Sequence, residues 1–537
     1  MIKLKSESNR ATRSCRPLRL IFLLLILGVL IVVVTERWRG QWALRRWKNE
    51  MAAKGEVFEA QRLWPPASSV NVEFSKRLAQ LTGAVRGGLD GYSGSLLGIV
   101  MEPTGQYRRG SQEPRPPRLL RDDVTKTWQH LDGLLQQSQC SLQSMRELMK
   151  HPPSTMGRDV VKCLEDDWPS SFVGVRIGAQ IQQTAALNDL HNCDLEKALQ
   201  DLETILAFAK LYERDPSLIS FMIRIAIVGL SVDVCWDALQ ADGWTGLQLA
   251  RLQQACLDID HILPQMARTM ESERAGRLYQ YQWFGSHSYQ AWLDRYREVY
   301  QGFGMGHLCP GTAPLLRQWI FHPLWSFAWA DEEELIYLRQ TQLEIANVRE
   351  AAQRRSWSRL KERIAAQQQS YRRPEAGWRF YLQLPLHDYF SQMIGTPNVP
   401  EPVYPYPDFS RAWLFTMSNL TRHEMVITAI ALKRYTIRHG RPLDRLAALV
   451  PDFLTALPTD LMDGQPLRYR LNPDGTFVLY SVGANLRDDG GDSIPESAQD
   501  SRQASLPWSG RDWVWLNSAA KVEGPQISRI ALKNGSK

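Results

Sequence analysis

Fifteen consecutive uncharged residues, Leu20 to Val34 (LIFLLLILGVLIVVV), stand near the start of a long and mostly polar chain. As a helix this run is about 22 Å long, short against a hydrocarbon core of about 30 Å. Its flanks extend it. Leu18 and Thr35 add length, Arg19 and Arg37 can reach back toward headgroups, and Trp38, Trp42 and Trp47 supply rings of the kind that settle at a membrane–water boundary. A cleaved signal peptide would carry a small-x-small site after the apolar run, but Thr-Glu-Arg-Trp-Arg follows Val34. The expectation is a retained single-pass transmembrane helix over 20–35, with Leu20, Phe22, Leu25 and Val34 as membrane-anchor residues and the lipid bilayer as a partner.

Basic residues lie on both sides of the run, so charge bias barely orients it. A short tail (1–19) inside and a long exported domain is expected, because long domains cross largely regardless of charge. That places the bulk on the periplasmic side of a bacterial inner membrane; a tail-out protein with cytoplasmic bulk is the alternative. A second apolar stretch, Leu218 to Trp236, carries Arg224 near its centre and Asp233 near its end. Each charge would be costly at mid-bilayer, so a buried core helix is expected there.

The chain has 537 residues, 19 Trp and a net charge of +7. Much of that excess sits beside the anchor, where anionic lipid is the natural counterpart, and no nucleic-acid partner is expected. Seven cysteines include no C-x-x-C pair. Cys235 and Cys256 fall on apolar helical stretches, where free buried thiols are ordinary.

The pattern predicts a mainly α protein. Glu36 to Lys54 should continue the anchor helix into the interface, and a loop-rich region follows, with Gly83 to Pro117 read as connections, which closes a 36–121 unit. A large helical-bundle domain spans 122–395, built of antiparallel hairpins, with helix starts at Asp215-Pro216 and Thr245. Asp331 opens a long helix whose apolar stripe runs from Leu335 to Ile364. A Pro-rich linker occupies 396–407. After it, Phe409 to His439 should be one helix stopped by Gly440, and the period then changes to alternation in Leu467 to Leu471 and Phe477 to Val482, joined by Asn472-Pro-Asp-Gly475, a hairpin signal. The tail 495–537 carries short strands at Trp513 to Leu516 and Gln526 to Leu532.

The unit 408–494 resembles the head of type II secretion pseudopilins. The resemblance rests on Ala431 to Gly440, Leu446-Ala-Ala-Leu-Val450, Leu457-Pro-Thr-Asp460, Asp463-Gly464-Gln-Pro466 and Leu479-Tyr-Ser-Val-Gly483 leading to Asp488-Asp489-Gly490-Gly491-Asp492. It implies a small α+β head with antiparallel strands, and an acidic loop in which Asp488, Asp489 and Asp492 would hold a calcium ion; hard cations take carboxylate and carbonyl oxygens. The chain departs from pseudopilins in having no acidic residue in its apolar run and in placing the head far from it, which argues against incorporation into a pilus. The whole chain also resembles a family of bacterial single-pass membrane proteins with no assigned activity. Trp38-Arg-Gly40, Ala53-Lys-Gly-Glu56, Glu273-Arg-Ala275 and Asp512-Trp-Val-Trp515 carry that resemblance.

No catalytic residues are singled out. His423-Glu424 lacks the second His of a zinc-protease motif, His191 and Cys193 lack further ligands, and Glu271, Glu273 and Arg274 read as ordinary charge pairs. Walker A, G-x-S-x-G and dinucleotide fingerprints are absent. The expected function is a non-catalytic binding or assembly module of the cell envelope, tied to secretion, with an envelope protein as partner. An exported membrane-tethered enzyme with a site in the helical domain is the alternative.

Overall fold

The computed structural model describes residues 15–66, 68–88, 128–157, 171–259, 262–302, 315, 317–371, 409–493 and 511–515. The Pro-rich linker, most of the basic tail, and the expected strand at Gln526 to Leu532 lie outside them.

The apolar run is helical, and the helix does not stop where the run does. Helix α1 (Cys15–Ala53) has 39 residues and two regimes. From Leu20 to Val32 every large side chain is 42–63% exposed, all round the helix, whereas Val33 is only 8% exposed. From there one stripe, Val33, Gly40, Leu44 and Met51, is buried at helical spacing. The expected interfacial extension is therefore docked on protein along one face.

Helices α2 (Ala60–Leu63) and α3 (Ser69–Gly88) follow. Gly83 to Gly88, read as part of a loop, completes α3; the rest of that loop lies outside the described residues. A hairpin of α4 (Trp128–Gln137) and α5 (Gln139–Leu148) leads to the antiparallel pair α6 (Ser171–His191) and α7 (Leu195–Lys210). Helix α8 (Leu218–Gln240), the second apolar stretch, lies between α6, α7 and a later helix and is buried on almost every side. Arg224 is tolerated there because Nε donates to the Ala209 carbonyl at 2.8 Å and Nη1 to Gln265 Oε1 at 2.5 Å. Its N-cap is Ser217, not Asp215; the Ser217 hydroxyl accepts from the Ser220 amide, while Asp215 accepts from the Ser217 amide. Helix α9 (Gly246–Leu257) begins as expected at Thr245, in a capping box with Gln248.

Helices α10 (Ile262–Ser286), α11 (Tyr289–Gly302), α12 (His322–Ala328) and α13 (Ala330–Arg354) share an aromatic-rich cluster with the second half of α1, which packs on α12 and α13. The stripe read from Leu335 to Ile364 belongs to two helices. Arg355 adopts φ 50°, a left-handed stop, and α14 (Trp357–Tyr371) restarts at an angle. The first amides of α14 are satisfied by the head: Trp357 N–H donates to the Leu461 carbonyl at 2.7 Å and Ser358 N–H to Met462 at 2.9 Å.

Helix α15 (Ser410–His439) ends at Gly440, φ 68°, as its sequence implied. It lies along α8 and α9, and Lys433 caps the end of α8 by donating to the Leu239 and Ala241 carbonyls. Strands β1 (Thr459–Asp460) and β2 (Gln465–Pro466) form one antiparallel pair; β3 (Arg468–Leu471), β4 (Phe477–Ser481) and β5 (Trp513–Trp515) form a second sheet in the order β3-β4-β5. The hairpin has Arg468 opposite Tyr480 and Leu471 opposite Phe477. One apolar cluster runs unbroken from Leu78 and α8 through α15 to Leu479, Trp513 and Trp515.

Candidate functional site

The acidic loop follows β4. Gly483 starts it at φ 66°, where an added Cβ would stand 2.7 Å from the Arg511 carbonyl. Asp512 then organises it: one carboxylate accepts from the amides of Asp489 at 3.4 Å, Gly491 at 2.7 Å and Asp492 at 3.3 Å. The three expected calcium ligands turn to separate partners. Asp488 accepts from the Tyr480 hydroxyl at 3.0 Å and faces Arg468 at 3.6 Å, Asp489 accepts from Asn485 at 2.9 Å, and Asp492 faces Arg511 at 3.4 Å. Among the described residues no group of three His, Cys, Asp or Glu side chains converges as a metal site. As placed, the three carboxylates turn to separate partners, and Asp512 gathers the amides of the loop. Beneath it, buried Asp460 accepts from the Met462 and Val482 amides, the Ser481 hydroxyl and Arg468, tying β1 to β4.

A cleft of about 630 Å³ opens between α5, α7 and α9, with Arg146, Glu203, Lys210, Arg251, Gln254 and Asp258 among its lining residues. Its charges neutralise one another. Arg251 bridges Glu196 at 2.7 Å and Glu203 at 2.9 Å, Lys210 meets Asp258 at 3.3 Å, and Arg146 Nε donates to Asp201 at 2.6 Å. Behind Arg146, Asp201 has no exposed surface. Burial pushes its carboxyl up to about 7, against the pull of Arg146 and with help from the neighbouring Asp189.

The third constellation joins the end of α1 to the domain. Glu56 accepts from Arg349 at 2.6 Å, Gln342 at 2.9 Å and Arg274 at 3.1 Å, and Arg349 also meets Glu271 at 2.6 Å. Burial alone would raise the Glu56 carboxyl, but Arg349, Gln342 and Arg274 outweigh it and hold it below its ordinary value. Arg274, read as one of several ordinary charges, is wholly buried and lies over the Phe58 ring at 4.7 Å. Its neighbour Glu273 accepts from the Leu218 amide at 3.1 Å, at the first turn of α8. Higher up α1, Arg39 pairs with Glu332 at 2.6 Å and Lys48 with Glu334 at 2.5 Å.

His423 is buried, with Nε2 at 3.0 Å from the Cys256 carbonyl, and burial lowers its pKa; Glu424 pairs with Arg355. Cys193 is exposed in the turn after α6, with φ 60°. Cys235 and Cys256 are free, buried and in mutual contact. The expected anchor residues Leu20, Phe22, Leu25 and Val34 are all more than half exposed. No family model matches this chain, and no curated protein or solved structure is significantly similar to it.

Proposed function

We propose that this chain is a membrane-anchored envelope protein whose domain, exported to the periplasmic side of a bacterial inner membrane, acts as a non-catalytic binding or assembly module in a secretion-related assembly. The observation that carries this reading is the continuity of α1. A freely diffusing catalytic domain needs only a flexible tether. Here the helix leaves its uncovered stretch without a break and is fastened by Arg39–Glu332, Lys48–Glu334 and the Glu56 cluster. Such a mount fixes the height and orientation of the domain above a bilayer, which a module contacting other membrane-held proteins requires. The self-paired charges of the cleft point the same way.

The order of α15, its glycine stop, the β3–β4 hairpin and the acidic loop supports a pseudopilin-like unit. Because α15 is enclosed by α8 and α9, this unit would contribute surface from its strands and loops rather than a helix free to stack in a pilus. Proximity labelling with a peroxidase fused to the C-terminal side, supplied with biotin-phenol and hydrogen peroxide, tests the proposal. Envelope and secretion proteins are the expected catch; cytoplasmic proteins alone would overturn it.

A further inference from the structure

Residues 315–330 read LLRQWIFHPLWSFAWA, a sequence that is apolar nearly all round when helical. A π-helical turn, Arg317–Phe321, runs directly into α12. One face of this segment is consumed by the aromatic cluster. His322, Trp325 and Ala328 are buried, the His322 ring lies 4.5 Å from Phe284, and Trp325 Nε1 donates to Glu333 at 2.6 Å. The other face is bare. Leu315 is 72% exposed, Trp319 69%, Ile320 47% and Phe327 44%. A helix apolar on both faces normally buries both, yet among the described residues nothing covers this second face.

Its position relative to α1 says what does. Arg37 Nη1 donates to the Phe327 carbonyl at 3.0 Å, and the same guanidinium lies 4.4 Å over the Phe327 ring. Arg37 stands one helical turn beyond Val33, where the uncovered apolar stretch of α1 ends, a step of about 6 Å. Trp38 and Trp42 are exposed on α1 at this level, followed by Arg45 and Arg46. Tryptophan rings with arginines just beyond them mark the depth at which a chain leaves hydrocarbon for headgroups. Trp319 is eight residues from Phe327, about 12 Å along the helix. The exposed face thus meets the end of the bare stretch of α1 at Phe327.

We infer that the face formed by Leu315, Trp319, Ile320, Phe321 and Phe327 is a second membrane contact, an interfacial helix seated between phospholipid headgroups and acyl chains beside the anchor. A second contact sets the tilt of α1 in the bilayer, and the domain docked on α1 tilts with it. The inference rests on the reading of α1 as a membrane anchor. Full-length protein reconstituted in phosphatidylethanolamine–phosphatidylglycerol vesicles carrying a photoactivatable acyl chain tests both, with adducts mapped by mass spectrometry. Adducts on peptides from 20–34 and from 315–327 are expected. Adducts on 20–34 alone overturn the second contact, whether water, another protein or a second copy covers that face, and leave the anchor standing; a clean 20–34 overturns the anchor itself. Trp319→Ser with Phe327→Ser spares the buried face, so circular dichroism should be unchanged while adducts on 315–327 fall several-fold and those on 20–34 persist. An unchanged yield on 315–327 would mean that the exposed rings do not seat the segment, and would overturn the inference.

Discussion

Asp512 orders a loop that precedes it by 20 to 23 residues, and its removal leaves three amides without their acceptor. Asp512→Ala should cost about 1–3 kcal/mol, read as a lower melting temperature and as faster hydrogen exchange at Gly491 and Asp492. Asp488, Asp489 and Asp492 turn to separate partners, so calcium should restore neither; a calcium-dependent rescue would show them acting as ligands. Asp201 makes a pH-dependent prediction. Its carboxyl stands at about 7 folded, against an ordinary value near 3.8. Between those values the folded state holds the extra proton, so this group favours folding below about pH 4 and that contribution is lost as pH rises through about 7. The loss amounts to no more than about 4 kcal/mol at 1.36 kcal/mol per unit. Asp201→Asn, neutral throughout, should flatten the fall in denaturation free energy between pH 4.5 and 7.5; an unchanged slope would show that another group causes it. Neither residue was legible in the sequence. Asp512 was noted only as the start of a short motif, and Asp201 is an unremarkable acid on an amphipathic helix until Arg146 and Asp189 fold over it.

Helix limits were more readable than helix partners, because caps are local and docking is not. Thr245 with Gln248, and Gly440 after His439, announce their helix ends within a few residues. The left-handed turn at Arg355 has no such announcement; an arginine between two helical stretches reads as a continuation, and only the carbonyls of Leu461 and Met462 explain why the chain restarts there. Lys48 on α1 was hidden for the same reason. Lys48 reads as part of a collar for anionic lipid, but it reaches Glu334, whose carboxyl is raised by burial and pulled back by that lysine. Lys48→Glu should place two carboxylates together and loosen α1 from α13, at a cost of about 3 kcal/mol. The exchange Lys48→Glu with Glu334→Lys should recover most of it. Thermal melting checks both; a single variant as stable as the parent would show that the pair does not fasten the helix.

Across the whole molecule, one apolar cluster links the helical elements to the strands of the head, and a second fastens α1 to α10, α12 and α13. The mainly α class was legible from periodicity, as was the burial of α8 from its two charges, but the continuity of the core depends on contacts across hundreds of residues. That continuity means a label on the helical elements also reports the side of the membrane occupied by the head. Four described cysteines serve as built-in probes: Cys140 and Cys193 are exposed and free, whereas Cys235 and Cys256 are free but buried. If the domain is exported, a membrane-impermeant maleimide added to reduced, intact spheroplasts should modify Cys140 and Cys193, identified by peptide mass spectrometry. Cys235 and Cys256 should react only after denaturation. Modification of Cys140 and Cys193 only after lysis would place the domain in the cytoplasm. It would reverse the proposed orientation without touching the fold, since the bare stretch from Leu20 to Val32 is apolar in either direction.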